Sequence, residues 1–109
     1  MITLEEIEKA ADFVRDNASK AAQAKADRLH LESFKKAKIA ILFGQAGPGK
    51  TVAAAEAWAH AHPQYIELLE TYKIAIKEDE EIRWLMEAAT LKVKVGQTFQ
   101  ATLRAANIY

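Results

Sequence analysis

The 109-residue chain has no Cys, only two Pro and four Gly, and no long apolar run. The lack of Cys excludes a disulfide framework and a zinc–thiolate site, and it suits a cytosolic setting. No stretch approaches the roughly 18 apolar residues from which a membrane span is predicted. The first six residues carry two acids where a signal peptide carries bases. The sequence therefore predicts neither a secretory segment nor a membrane anchor.

Gly and Pro are concentrated in one place, because five of the six lie between Gly44 and Pro63. These residues mark turns and loops, whereas the abundant Ala elsewhere favours helix. We therefore predict one all-α domain over residues 1–109, built as a long antiparallel helical hairpin. Its parts are a first arm over about 3–43, a Gly/Pro loop with a short helix over 44–62, and a second arm over about 63–107.

The first arm begins with a capping-box pattern, in which Thr3 precedes Glu6 by three residues. Apolar residues then recur at helical spacing and predict the face that packs against the second arm. This stripe consists of Ile7, Ala10, Ala11, Val14, Ala18, Ala21 and Ala22, and continues less regularly through Leu31, Phe34 and Ile41. The segment 38–43 also suits a short buried strand, so strand and helix both remain open there.

The second arm begins at Pro63, which suits the first position of a helix. Its seam repeats every 3.5 residues on average, as in a coiled coil. The seam comprises Leu68, Tyr72, Ala75, Asp79, Ile82, Met86, Ala89, Val93, Gly96, Gln100 and Leu103. A second row, Leu69, Ile76 and Leu85, widens this stripe and predicts a homo-oligomer formed through the second arm. Gly96 predicts a break at about 95–97, and 91–95 could be strand or helix.

Charge alternates in four blocks along the chain. The net charges are −3 for residues 1–19, +5 for 20–50, −5 for 51–87 and +3 for 88–109, which sum to zero. Folding the chain at its loop places each block beside one of opposite sign, with 20–43 along 63–87 and 4–19 along 88–107. Charges that flank a seam select the partner and its direction. The pattern therefore favours an antiparallel hairpin or an antiparallel dimer.

Residues 44–51 fit the phosphate-loop pattern G-x-x-x-x-G-K-[ST]. In a functional loop Lys50 would bind the β- and γ-phosphates of a nucleotide, and Thr51 would hold Mg²⁺. Such sites also require an Asp at the end of a second strand. The only later Asp, Asp79, lies in a charged helical stretch. We therefore predict no cofactor, and a nucleotide-binding protein using the 44–51 pattern is an alternative.

Other candidate sites have simpler structural explanations. A basic block could bind nucleic acid, but the net charge of zero favours its neutralisation by the acidic second arm. The block comprises Lys20, Lys25, Arg28, Lys35, Lys36 and Lys38. His60 and His62 suit a helix end better than a metal site. The acidic run 78–81 is typical of a solvated helix face. Trp58 and Trp84 could be anchors that bind a partner, but packing in the core or at the loop is favoured. We predict no catalytic residue and no metal site.

Residues 62–106 resemble a group of small helical proteins of tailed bacteriophages and prophages. The resemblance lies in His62-Pro63-Gln64-Tyr65-Ile66-Glu67-Leu68-Leu69-Glu70, Glu81-Ile82-Arg83-Trp84-Leu85, Glu87-Ala88-Ala89, Leu91-Lys92-Val93 and Gln97-Thr98-Phe99-Gln100-Ala101. Such proteins tend to carry charged helical sequence where this chain has its glycines, and they tend to carry an aromatic residue near position 96.

The resemblance implies a non-enzymatic phage accessory protein in the cytoplasm of the bacterial host. The process in which such a protein would act is unknown, and its role would be that of a helical scaffold or a protein-interaction module. Some similar proteins appear among phage replication and recombination genes. A DNA recombination or replication accessory factor is therefore a second alternative.

Overall fold

The computed structural model describes residues 2–108, which form three helices. They are α1 (Leu4–Gln45), α2 (Val52–Ala61) and α3 (Pro63–Ile108). Residues 2–108 contain no strand, so the prediction of an all-α helical hairpin is confirmed. Segments 38–43 and 91–95, which also suited strands, are helical. A helix satisfies its backbone hydrogen bonds within its own segment, so neither segment requires a partner strand.

Side chains at the helix starts explain where α1 and α2 begin. The Thr3 amide donates to Oε2 of Glu6 at 3.3 Å, and the Glu6 amide donates to Oγ1 of Thr3 at 3.1 Å. This is the predicted capping box, and it satisfies two amides that the helix leaves without partners. At α2, Oγ1 of Thr51 accepts from the Ala54 amide at 3.1 Å. A Thr in this position is a common helix N-cap.

The chain divides into two compact units, of which unit 1 contains one segment each of α1 and α3, and unit 2 contains the other segments of these helices together with α2. Unit 1 joins 2–23 to 80–108, and unit 2 comprises 24–79. In unit 1 the side chain of Ile7 lies against Gly96. In unit 2 Arg28 contacts Asp79 and Lys38 contacts Gln64, so the two segments run antiparallel. This pairing agrees with the charge blocks of the sequence.

Unit 2 has a small apolar cluster beneath the loop that joins α1 to α2. Leu42 and Ala59 are fully buried there and pack with Tyr65. Ile39 and Trp58 pack against the same cluster. Trp58 therefore packs at the loop, as predicted. The cluster fixes the end of α1 against α2 and the first turn of α3.

The predicted seam of α3 coincides with its buried face. Every seam residue except Leu103 is buried or half-buried. In unit 1 the most buried seam residues are Ile82, Ala89 and Gly96, and in unit 2 Ala75 is buried. A repeat of 3.5 residues therefore describes which side of α3 faces α1 within each unit.

The buried face of α1 differs in part from the predicted stripe. Ala18, Phe34 and Ile41 are exposed, whereas Asn17 is half-buried and Leu42 is fully buried. Half-buried Arg28, Lys35 and Lys38 also lie on the buried face. The prediction was wrong there because it accepted only apolar residues. Arg and Lys can pack their long stems on a partner helix while their charged ends reach polar groups.

The predicted break at 95–97 is also wrong, because α3 continues through Gly96. Gly96 is buried in unit 1, and a Cβ atom built on it would overlap the Ile7 side chain far inside van der Waals contact. The same atom would lie 3.4 Å from Cγ2 of Ile2. The glycine therefore allows close approach of Ile7 to the α3 backbone. Its role concerns packing rather than helix termination.

Candidate functional site

The phosphate-loop pattern lies at the junction of two helices. Gly44 belongs to the last turn of α1, and Ala46, just beyond that helix, is buried. Gly47 and Gly49 have φ angles of 95° and 86°, which L-residues rarely adopt, and Pro48 lies between them. A functional loop of this pattern follows a strand. Here a helix precedes it, and Gly47 and Gly49 form a turn between α1 and α2.

The two residues that would bind a nucleotide have local partners. The Lys50 ammonium lies 5.2 Å from the centre of the Trp58 ring, in a cation–π arrangement. The Thr51 hydroxyl caps α2 through the Ala54 amide. Lys50 and Thr51 thus both have contacts within the chain.

We expect no specific binding of Mg-ATP or Mg-GTP. The pattern does not follow a strand, and no second strand in residues 2–108 supplies the Asp that would hold Mg²⁺ together with Thr51. Calorimetric titration of the wild-type chain and of Lys50→Ala provides the measurement. For both proteins, the titration should release only the heat of diluting the nucleotide into buffer. Micromolar binding that Lys50→Ala removes would contradict this prediction and support the nucleotide-binding alternative.

Half of the basic block has partners within unit 2. Nη1 of Arg28 lies 3.2 Å from Oδ2 of Asp79, and Nζ of Lys38 donates to Oε1 of Gln64 at 2.7 Å. The Lys35 ammonium lies 4.8 Å from the centre of the Tyr72 ring. Of the three contacts only that of Arg28 with Asp79 pairs opposite charges, because Gln64 and Tyr72 are neutral. Lys20, Lys25 and Lys36 are exposed.

We expect duplex and single-stranded DNA to bind weakly, and the binding to disappear at physiological salt. Few phosphates can be neutralised, so few counterions are released. Fluorescence anisotropy over a salt series measures this. Sub-micromolar affinity at about 150 mM salt, with a steep salt dependence that Lys35→Glu and Lys36→Glu remove, would make the DNA accessory factor the leading hypothesis.

His60 and His62 stabilise the junction between α2 and α3. His60 lies in the last turn of α2, and its Nδ1 lies 2.7 Å from the Glu56 carbonyl oxygen. Nδ1 of His62 accepts from the Gln64 amide at 3.1 Å, in the first turn of α3. The rings pack edge-on against Tyr65 and Trp58 respectively. Within residues 2–108 no three His, Cys, Asp or Glu side chains converge as metal ligands.

The acidic run 78–81 does not form a single carboxylate cluster. Asp79 lies on the buried face of α3 and pairs with Arg28, and its side chain is 13% exposed. Oε1 of Glu80 lies 3.7 Å from Nη1 of Arg83 on the same helix. The polar interruption of the seam at Asp79 therefore has a charged partner on α1. Such a pair can fix the register of two helices.

Several large apolar side chains on α3 are exposed, and three of them lie outside the two apolar rows predicted from the sequence. Trp84, predicted to pack inside, is 59% exposed, and Leu91 and Val95 are 62% and 53% exposed. Leu69 and Leu85, from the second apolar row, are also exposed, whereas Ile76 is half-buried. The signal for Trp84, Leu91 and Val95 was present, because they recur at helical spacing. Trp84, Leu91 and Val95, which all lie in unit 1, form the candidate interaction surface of the chain.

Comparisons of the chain with protein-family models, with curated proteins and with solved structures each found no match. In the part of the chain that the structure describes, no helix is both long enough and apolar enough to span a bilayer. The candidate surface must therefore be interpreted from its own residues.

Proposed function

We propose that the chain is a non-enzymatic helical scaffold or protein-interaction module that self-associates through α3. The observation that carries this proposal is the exposure of Trp84, Leu91 and Val95 on a helix that already packs its seam against α1. A helix of a monomer normally needs only one apolar face. A second apolar face favours a further packing partner.

The energetics support association. Burial of apolar surface contributes about 25 cal/mol per Å², and large contiguous apolar patches are uncommon on monomeric proteins. Trp is also enriched among the residues that dominate binding energies at interfaces. A patch with one exposed Trp and two exposed aliphatic side chains therefore suits a protein interface.

The resemblance to small helical phage proteins supports an accessory role in a tailed bacteriophage, within the cytoplasm of the host. A scaffold or interaction module needs no catalytic group. Lys50 and Thr51 both have contacts within the chain, which agrees with such a role. The proposal therefore rests on a surface rather than on a reactive site.

Sedimentation equilibrium tests self-association directly. We expect a dimer or a larger assembly at micromolar concentration, because the exposed apolar residues of α3 gain burial on assembly. Circular dichroism on the same samples verifies that the chain is helical. A helical chain that remains monomeric at high concentration would refute the proposal.

A further inference from the structure

In unit 1, α3 carries an outer apolar face that does not belong to the seam, and one member of this face, Ala88, also borders a groove with Ala10 and Phe13 of α1. This outer face consists of Trp84, Ala88, Leu91 and Val95. Successive members are four, three and four residues apart, so they share one side of the helix. All four are exposed, whereas the seam residues Met86, Ala89 and Val93 are buried or half-buried. The outer face is therefore distinct from the seam.

The charges along α3 change sign within the outer face. Residues 80–87 contain three acids and one base, whereas residues 88–108 contain three bases and no acid. If a second copy lies antiparallel on this face, the acidic segment of each copy faces the basic segment of the other. A parallel arrangement places like charges together. The charge pattern is thus complementary to itself after reversal, and on this ground we take a second copy of this chain as the occupant.

We propose that two copies dimerise through the outer face, antiparallel and about a two-fold axis at the level of residues 90–91. This geometry rests on the proposed self-association and specifies the surface and orientation it uses. A two-fold interface uses the same patch on both copies. Trp84 of each copy then lies near Val95 of the second copy, and Glu87 lies near Lys94 of the second copy. The four apolar residues form the centre, and the charges lie at the rim.

The first test removes the aromatic anchor. Trp84→Ser should raise the dissociation constant of the dimer about tenfold or more, as expected for a central interface Trp. Ile74→Ser is the matched control, because Ile74 lies on α3 in unit 2 and is 58% exposed, close to the 59% of Trp84. Sedimentation equilibrium should give the control the dissociation constant of the wild type.

The second test exchanges the rim charges. Glu87→Lys and Lys94→Glu should each weaken the homodimer by roughly fivefold, because each places like charges together twice. An equimolar mixture of the two variants should recover association, since unlike charges then face each other. Glu87 also lies 3.6 Å from Nε of Arg83 on its own helix. Loss of that contact is the same before and after mixing, so recovery reports the contact between copies.

The third test measures orientation by disulfide cross-linking, which is simple because the chain has no Cys. Leu91→Cys should cross-link readily, since two residues near the two-fold axis face each other. Thr102 is exposed and lies eleven residues further along α3. In an antiparallel dimer two copies of Thr102→Cys are therefore roughly 33 Å apart, far beyond disulfide reach. Thr102→Cys should remain monomeric on a denaturing gel.

The outcomes separate this geometry from self-association in general. A monomeric wild type overturns both proposals. If the wild type associates, and association is lost in the Ile74→Ser variant but kept in the Trp84→Ser variant, only the outer-face dimer is overturned. Efficient cross-linking of Thr102→Cys indicates a parallel arrangement and also overturns it. Loss of association with Trp84→Ser, recovery on mixing the charge variants and selective cross-linking of Leu91→Cys support it.

Discussion

Leu42→Ala is expected to destabilise the protein by about 2–5 kcal/mol, the usual cost of truncating a buried Leu. Leu42 is 0% exposed and packs in the cluster of unit 2 with Ala59 and Tyr65. Its removal leaves a cavity beneath the turn between α1 and α2. Since domains are stable by only about 5–15 kcal/mol, this single change removes a large share of the total.

Ile41→Ala is the matched control, because Ile41 is the neighbouring residue and is 52% exposed. It should cost less than about 1 kcal/mol, since surface substitutions away from special features have small effects. Urea denaturation followed by circular dichroism measures both variants. Protein concentration must be the same for each, because self-association raises the apparent stability. A larger loss with Ile41→Ala than with Leu42→Ala would place Ile41, as the sequence pattern predicts, on the packed face of α1.

The pair Ile41 and Leu42 illustrates the limit of pattern analysis in the first arm. Both are apolar, so hydrophobicity alone cannot decide which one faces α3. The 3.5-residue repeat of α3 was clear because most of its seam is apolar. On α1 the corresponding positions include Asn17, Arg28 and Lys35, which are half-buried. Arg28 and Lys35 contact α3, whereas Asn17 donates to the Phe13 carbonyl of α1 itself. Half-buried polar side chains of both kinds hide the period from an apolar-only search.

The candidate surface was hidden for a related reason. Large aromatic residues are highly buried on average, which favours packing of Trp84 in the core or at the loop. That average does not apply to a helix with apolar residues on two sides. Once the seam through Met86 and Ala89 is assigned, the remaining apolar residues at Leu91 and Val95 define a second side. The number of apolar faces on α3 could be derived from the sequence, but the pairing of the seam with α1 came from the structure.

Gly96 shows how the same residue can be interpreted in two ways. Its low helix propensity correctly indicates a local cost of about 1 kcal/mol relative to Ala. The structure shows no break there, because the missing side chain provides the space that Ile7 occupies. A contact between residues so distant in sequence has no local signal. The role of the glycine therefore required the packing of α1 on α3.

A double-mutant cycle between positions 7 and 96 should show a reversal of sign. With Ile7 present, Gly96→Ala should destabilise by about 1 kcal/mol, because overpacking costs about 1–3 kcal/mol and the gain in helix propensity offsets about 1 kcal/mol. Ile7→Ala alone should cost about 2 kcal/mol, at the lower end for a buried Ile. In the Ile7→Ala background the space is empty, so Gly96→Ala should stabilise by about 1 kcal/mol.

Gly44→Ala provides the control for this cycle, because Gly44 is also helical and a Cβ atom there meets nothing within 4 Å. It should stabilise by up to about 1 kcal/mol in both the Ile7 and the Ile7→Ala backgrounds, from helix propensity alone. Urea midpoints at a fixed protein concentration measure all the variants. Equal effects of Gly96→Ala in the two backgrounds would show that positions 7 and 96 are not coupled. A coupling of about 2 kcal/mol, absent at Gly44, would show that Ile7 is what requires a glycine at position 96.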